Sequence, residues 1–163
     1  MGRPTTDQAK EGLFNILNNW VDWEETRVLD LFAGSGSIGF EALSRGAKEV
    51  VAVEKNPKHV SYIKSVEGEL GDTSHRVYLR DVFKWIQSPP DEEPFQIIFA
   101  DPPYALPTLP DLPLLLLDSS LLDADGLLIV EHPRDYNFND IEQFIELRKY
   151  GSVHFSFFGT SKL

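Results

Sequence analysis

Two short polar clusters, each at the end of an apolar run, carry the residue types and spacings that could do chemistry. The first is Gly34-Ser-Gly-Ser-Ile-Gly39, which satisfies the pattern G-x-G-x-x-G. Glycines there let backbone approach a ligand without Cβ clashes, and the helix start that follows offers unpaired N–H groups. Glu54 lies twenty residues after Gly34, at the end of the next apolar run. A carboxylate in that place can accept hydrogen bonds from ribose hydroxyls. The pattern fits two cofactors, a nicotinamide dinucleotide and S-adenosylmethionine, and two residues favour the second. Asp30, four residues before the first glycine, would repel a pyrophosphate but can bind a cationic amino group. Asp81, after the third apolar run, is placed to hydrogen-bond an adenine amine. Phe32, Ala33, Ser35, Gly36 and Val82 complete the expected cofactor shell. The plain alternative is a glycine turn among ordinary solvated carboxylates.

The second cluster is Asp101-Pro-Pro-Tyr104, directly after Ile97-Ile-Phe-Ala100. Two prolines fix φ twice and remove two backbone donors. What remains toward a cleft is a pair of acceptors, the Asp101 carboxylate and the Pro102 carbonyl, with Pro103 stiffening the turn. Acceptors beside the Tyr104 ring suit a planar group bearing an exocyclic –NH2. The amine donates to the acceptors and the ring stacks on the plane, a contact worth about 1–3 kcal/mol for a base. A nucleobase amine is a poor nucleophile because its lone pair is delocalised. Two acceptors on its hydrogens favour a more tetrahedral nitrogen, and alignment with a sulfonium methyl then does most of the catalysis. Asp101 is expected to face the cofactor as well. A tight strand-end turn with a surface tyrosine is the bland reading.

The elements that must hold these clusters alternate. Val28–Phe32, Val50–Val53, Arg76–Leu79, Phe95–Ala100 and Leu127–Val130 read as buried strands. A first helix is expected behind Thr5 as N-cap, with Gln8 three residues on as a weak capping box. Its apolar positions Ala9, Leu13, Ile16, Leu17 and Trp20 follow at helical spacing. Ile38–Leu43 reads as a helix stopped by Gly46, and Pro57 opens another reaching Leu70. A short helix is expected at Leu112–Leu117, and an antiparallel hairpin over Ile145–Phe158 around Gly151 and Ser152. Strands alternating with helices predict a Rossmann-like α/β domain, a mostly parallel sheet with helices on both faces. Right-handed crossovers then bring the Asp30–Gly36 segment, Glu54, Asp81 and Asp101 to one edge.

Composition bounds the chemistry. The chain has 163 residues and no cysteine, which fits one domain spanning 1–163 and excludes a disulfide framework, a thiolate zinc site and base methylation through a thiol adduct. Fifteen basic against 26 acidic residues give a formal charge of −11, so nonspecific nucleic-acid binding is disfavoured. The densest apolar stretch, Leu112–Leu117, is far shorter than the roughly 18 residues that span a bilayer. No export signal is visible in the first residues, and the cytoplasm is the expected location. Ser161-Lys-Leu163 also matches a peroxisomal address. His59, His75, His132 and His154 are scattered, so no metal is expected. Asp91-Glu-Glu93 reads as a solvated loop, the three tryptophans as packing, and Arg134 as a surface residue.

Together these residues resemble the class I S-adenosylmethionine-dependent methyltransferases that modify exocyclic amines, on DLFAGSGSIG at 30–39 and DPPY at 101–104. A closer resemblance is to the bacterial small-subunit (16S) ribosomal RNA guanine methyltransferases, often called RsmD. It is carried by RPTTD at 3–7, Glu11 with Leu13-Phe-Asn15, the stretch 30–47 and DPPY, and covers nearly the whole chain. It implies a seven-stranded sheet with an antiparallel C-terminal hairpin, S-adenosylmethionine as donor and the 2-amino group of a guanine as acceptor. The expected partner is 16S RNA within a small-subunit particle, and a monomer is expected. Arg3, Thr5 and Thr6 sit where the family has a segment bordering cofactor and RNA, and Lys10 joins them as a substrate contact. The chain departs from the pattern in three ways. Gln8 and Lys10 stand where arginines are usual, a basic stretch upstream of RPTTD is missing, and Pro107–Pro113 is an unusual insertion beside the substrate mouth. Other readings are methylation of another amine (adenine or cytosine in DNA, or protein glutamine), a non-catalytic cofactor-binding assembly module, and a nicotinamide oxidoreductase.

Overall fold

Five strands run parallel in the computed structural model, which describes residues 5–71, 74–90 and 92–160: β1 (Arg27–Leu31), β2 (Glu49–Glu54), β3 (His75–Leu79), β4 (Phe95–Ala100) and β5 (Leu122–His132). The C-terminal β6 (Phe144–Tyr150) and β7 (Val153–Gly159) form an antiparallel hairpin, with β7 antiparallel to β5. The sheet order is β3-β2-β1-β4-β5-β7-β6. The expected seven-stranded α/β architecture is therefore present, and the order reverses direction between β1 and β4. A crevice outside the carboxyl ends of strands forms at such a point, because the connections from the two neighbours leave to opposite sides.

Helices cover both faces. On one, Leu13 and Phe14 of α1 (Asp7–Trp20) and Ala42 of α2 (Ser37–Ser44) pack on Val28, Phe99 and Ile129. On the other, Trp85 of α4 (Val82–Gln87) and Leu116 of α5 (Leu112–Leu117) pack on Leu29, Ile98 and Leu128. The remaining helix, α3 (Pro57–Leu70), starts at Pro57 and ends at Gly71, which has φ 64°. Side chains alternate along each strand. Leu29 and Leu31 of β1, Ile98 and Ala100 of β4, and Leu128 and Val130 of β5 all enter the second core. Parity then puts Asp30, Asp101 and Glu131 on the opposite face, the one that α1 and α2 cover. The same argument from Val51 and Val53 places Glu54 there.

Four expectations need correction. The N-cap of α1 is Thr6 rather than Thr5: the Thr6 hydroxyl accepts from the Ala9 N–H at 3.2 Å, and no Thr5–Gln8 box forms. Thr5 is instead held by a distant strand, as described below. Helix α4 was not foreseen, since six residues are too few to show a period. β5 starts at Leu122, five residues early, because half-buried Asp123 and exposed Ala124 and Asp125 obscure its first half. Finally, Glu92 is not a solvated loop residue. Its side chain is 4% exposed and pairs with Arg27 at 2.7 Å, Arg76 at 3.0 Å and the Tyr78 hydroxyl at 3.0 Å. Asp91 and residues 161–163, including the Ser-Lys-Leu end, lie outside the described residues.

Gly39, the last glycine of the loop motif, shows how tightly α2 sits on the sheet. A Cβ there would lie 2.8 Å from Val50 Cγ1 and 3.2 Å from Asp30 Oδ2. Both neighbours belong to rigid strands. Gly39→Ala is therefore expected to cost about 1–3 kcal/mol through overpacking, read as a lower urea midpoint at unchanged slope.

Candidate cofactor and acceptor cleft

The chain leaving β1 makes a sharp turn in which Phe32, Gly34 and Gly36 have φ of 58°, 58° and 80°. Ala33 N–H donates to Val53 O at 3.2 Å, tying the turn to β2, and Gly36 N–H donates to Ala33 O at 2.8 Å. A Cβ on Gly34 would meet nothing within 4 Å, so this backbone is open to the cleft. Gly36 faces inward, where a Cβ would lie 3.0 Å from the Phe40 ring. It is the N-cap of α2 and is not among the residues that line the cleft. Phe32 is the non-glycine at positive φ among the described residues. That conformation costs of order 1–3 kcal/mol, and its ring packs edge-on against Phe83 at 6.1 Å between centroids.

Glu54 ends β2 with both oxygens engaged. Oε1 accepts from Gly34 N–H at 2.8 Å and Oε2 from Asn56 N–H at 2.8 Å. These bonds fix the carboxylate plane, and each oxygen keeps a second lone pair for a ligand hydroxyl. Asp81 caps α4, its Oδ1 accepting from Lys84 N–H at 3.1 Å. Asp81 also lines the cleft. Asp30 is 2% exposed and accepts Gly39 N–H at 3.3 Å. Burial pushes its carboxyl up to about 8, opposed by the Gly39 N–H and reinforced by the nearby Glu54 charge.

These groups meet in one cleft of about 480 Å³, a size ordinary for a small-molecule site. Asp30, Glu54, Asp81 and Asp101 all line it, with Phe32, Ala33, Gly34, Ser35 and Val82 from the expected cofactor shell. Asp101 continues β4 beside β1, its N–H donating to Leu31 O at 3.3 Å. Thr5, Pro103 and Leu106 form the wall at this end.

Several expected site residues stand elsewhere. Pro102 is buried and Tyr104 half-buried, and neither lines the cleft. After Asp101 the chain turns back, with Leu106 N–H donating to Pro103 O at 3.0 Å. Pro103 and Leu106 of that turn line the cleft. Thr6 uses its hydroxyl as a helix cap, and Lys10 sits half-buried in α1; neither lines the cleft. Arg3 lies outside the described residues. Conversely, Asn56, His59, Phe83 and Leu106 line the cleft without having been singled out. Asn56 had a readable signal, since it follows a strand-end acid by two residues and precedes Pro57 as a helix cap. Among the described residues no group of metal ligands gathers, and no helix is long and apolar enough to cross a membrane.

The donor set fits S-adenosylmethionine. Fixed carboxylate lone pairs at Glu54 suit ribose hydroxyls, open backbone at Gly34 allows close approach, and a buried carboxyl at Asp30 suits an ammonium group. Comparison with known proteins agrees. The family model described as Conserved hypothetical protein 95 matches residues 1–159. The putative rRNA methyltransferase YlbH of Bacillus subtilis is 39% identical over 135 residues, covering 82% of this chain and 72% of the relative. The ribosomal RNA small subunit methyltransferase D of Haemophilus influenzae is 34% identical over 135 residues, 82% of this chain and 69% of that protein. The chain belongs to the ribosomal RNA small subunit methyltransferase D family. The crystal structure of the putative methylase HI0767 from Haemophilus influenzae superposes with a TM-score of 0.80 at 30% identity, covering 95% of this chain and 98% of that one. The Rossmann-like methyltransferase fold expected of the family is thus present over almost the whole chain.

Asp30 has a measurable signature. Between its ordinary value of 3.8 and about 8, the folded chain holds a proton that the unfolded chain releases. Its contribution to stability is full below 3.8 and falls as pH rises toward 8. Asp30→Asn keeps the shape without the charge. Its melting midpoint should match wild type near pH 4 and exceed it by several degrees at pH 8, at about 2–4 °C per kcal/mol for a chain of this size. Thermal scans across that range in the absence of ligand read the difference.

Proposed function

We propose that this chain transfers the methyl group of S-adenosylmethionine to the exocyclic 2-amino group of a guanine in small-subunit (16S) ribosomal RNA. The observation that carries the reading is that the Glu54 carboxylate and the Asp101 carboxylate open into the same cleft. One end suits a ribose and the other an amine. The names of the relatives support RNA of the small subunit as the substrate class.

When bound, S-adenosylmethionine supplies an electrophilic methyl on a cationic sulfur. The chain's own residues do the rest. Glu54 holds the ribose and Asp81 the adenine amine, while Val82 and Phe83 pack the adenine plane. Asp30 takes the ammonium group, which favours its ionised form. Asp101 accepts a hydrogen from the guanine amine, so the nitrogen lone pair points along the cleft. As the new N–C bond forms and the C–S bond breaks, the amine proton becomes acidic and leaves through Asp101 to solvent. Alignment and electrostatics supply the acceleration, and no strong base is required at the start. Pro103 and Leu106, rather than the Tyr104 ring, form the apolar wall against which the base lies. The acidic balance of the chain favours a substrate presented by an assembled small-subunit particle over free RNA.

Incubation of small-subunit RNA or particles with the chain and methyl-labelled S-adenosylmethionine should give label in a guanine, identified by nucleoside mass analysis as the N2-methyl product. Asp101→Ala should lower kcat by about 10²–10³. Label on DNA or on a glutamine side chain instead, with none on RNA, overturns the substrate assignment.

A further inference from the structure

Glu131 is a charged residue that the reading above leaves unused. It is fully buried, at 0% exposure, near the carboxyl end of β5. Its neighbour Val130 pairs with Ala100, so Glu131 stands beside Asp101 where the two strands end. Both carboxylates lie on the face that α1 covers. Neither the ladder nor the core calls for an acid here: Leu127 and Ile129, the preceding residues on this face, are apolar and fully buried. Burying a carboxylate is expensive unless something donates to it.

Thr5 donates to it. Its hydroxyl bonds Glu131 Oε1 at 2.7 Å across 126 residues of sequence. Thr5 is also a wall of the cleft at the acceptor end, near Asp101, whereas Glu131 is not itself a lining residue. Immediately after Thr5 the chain enters α1 through the Thr6 cap. The bond therefore connects the strand carrying Glu131 to the segment that closes one side of the substrate end. A threonine two residues before the helix proper has no local element to fix it; this long-range bond is the fixing one.

We propose that Glu131 is a positioning residue. It clamps the segment before α1, through the Thr5 hydroxyl, against the end of β5, so that Thr5 forms a rigid wall for the incoming base beside Asp101. It touches neither the reacting nitrogen nor the cofactor. This inference rests on the proposed RNA methylation for its consequence but not for its geometry. It assigns an acceptor-side role and leaves the ribose end untouched.

The test compares Glu131→Leu, Thr5→Val, Thr5→Ser and the double variant Thr5→Val/Glu131→Leu in the full chain. Three readouts are used: amide hydrogen exchange of residues 5–10, affinity for S-adenosylhomocysteine, and methyl transfer to small-subunit particles. Expected for Glu131→Leu and Thr5→Val is at least tenfold faster exchange in the first turn of α1 and a raised KM for the particle. Affinity for S-adenosylhomocysteine should stay within twofold, and exchange in β4 should be unchanged. Thr5→Ser keeps the hydroxyl and should behave as wild type. The double variant should lose no more than Glu131→Leu alone, since the bond that Thr5→Val removes is already gone there. Additive losses, an unchanged exchange rate, or a Thr5→Ser variant as impaired as Thr5→Val would each overturn the clamp. Failure of the wild-type chain to methylate RNA, with the exchange pattern as expected, would remove the proposed function and leave the clamp standing.

Discussion

Four acids, Glu54, Asp30, Asp101 and Glu131, end up on one face of a parallel sheet at neighbouring strand ends. The rest of the site depends on how their charge is accommodated. Three of them are at least nine-tenths buried, and a buried carboxylate that nothing donates to would destabilise the fold or take up a proton. The structure meets this demand with backbone and hydroxyl donors. The glycine turn and the loop before α3 give two N–H groups to Glu54. The first turn of α2 gives one to Asp30, and the segment before α1 gives a hydroxyl to Glu131. Each donor comes from an element that also borders the cleft, so satisfying the acids and shaping the pocket are one task.

That arrangement suits a cationic ligand. Asp30 has the least help: one long bond and full burial leave its carboxyl with a pKa near 8. An incoming ammonium group supplies the missing compensation. The same field is unfriendly to a polyanion, and the chain carries −11 overall. The proposed reaction therefore calls for a local encounter with RNA, one base entering beside Asp101 with the phosphate chain held away from the acids. The strained Phe32 and the inward-facing Gly36 show that backbone conformation is spent on placing Gly34 against the ligand. The Phe32 ring, packed on Phe83, then supplies apolar surface beside it.

Much of this was legible in residue patterns. The apolar runs of β1 to β4, the Pro57 start of α3 and the hairpin around Gly151 followed from periodicity and turn chemistry, which are local properties. The glycine motif with Glu54 and the acid before two prolines were also readable, because strand ends and tight turns restrict residue type. Local rules failed where a distant partner decided the outcome. Thr5 and Thr6 are chemically alike, and which one caps α1 depends on Glu131 drawing Thr5 away. Glu92 reads as a loop acid, yet Arg27, Arg76 and Tyr78 converge on it.

What the chain's order of residues determined alone was the set of elements, their alternation and the acids at their ends, since these rest on period, on backbone freedom and on the removal of donors by proline. Only the tertiary structure decided that the acids share one face, which of them are buried, and which side chains form the acceptor wall. Those properties arise from strand parity combined with a sheet order that sets β1 between β2 and β4. They also arise from hydrogen bonds spanning up to 126 residues, a separation over which no local pattern leaves a trace.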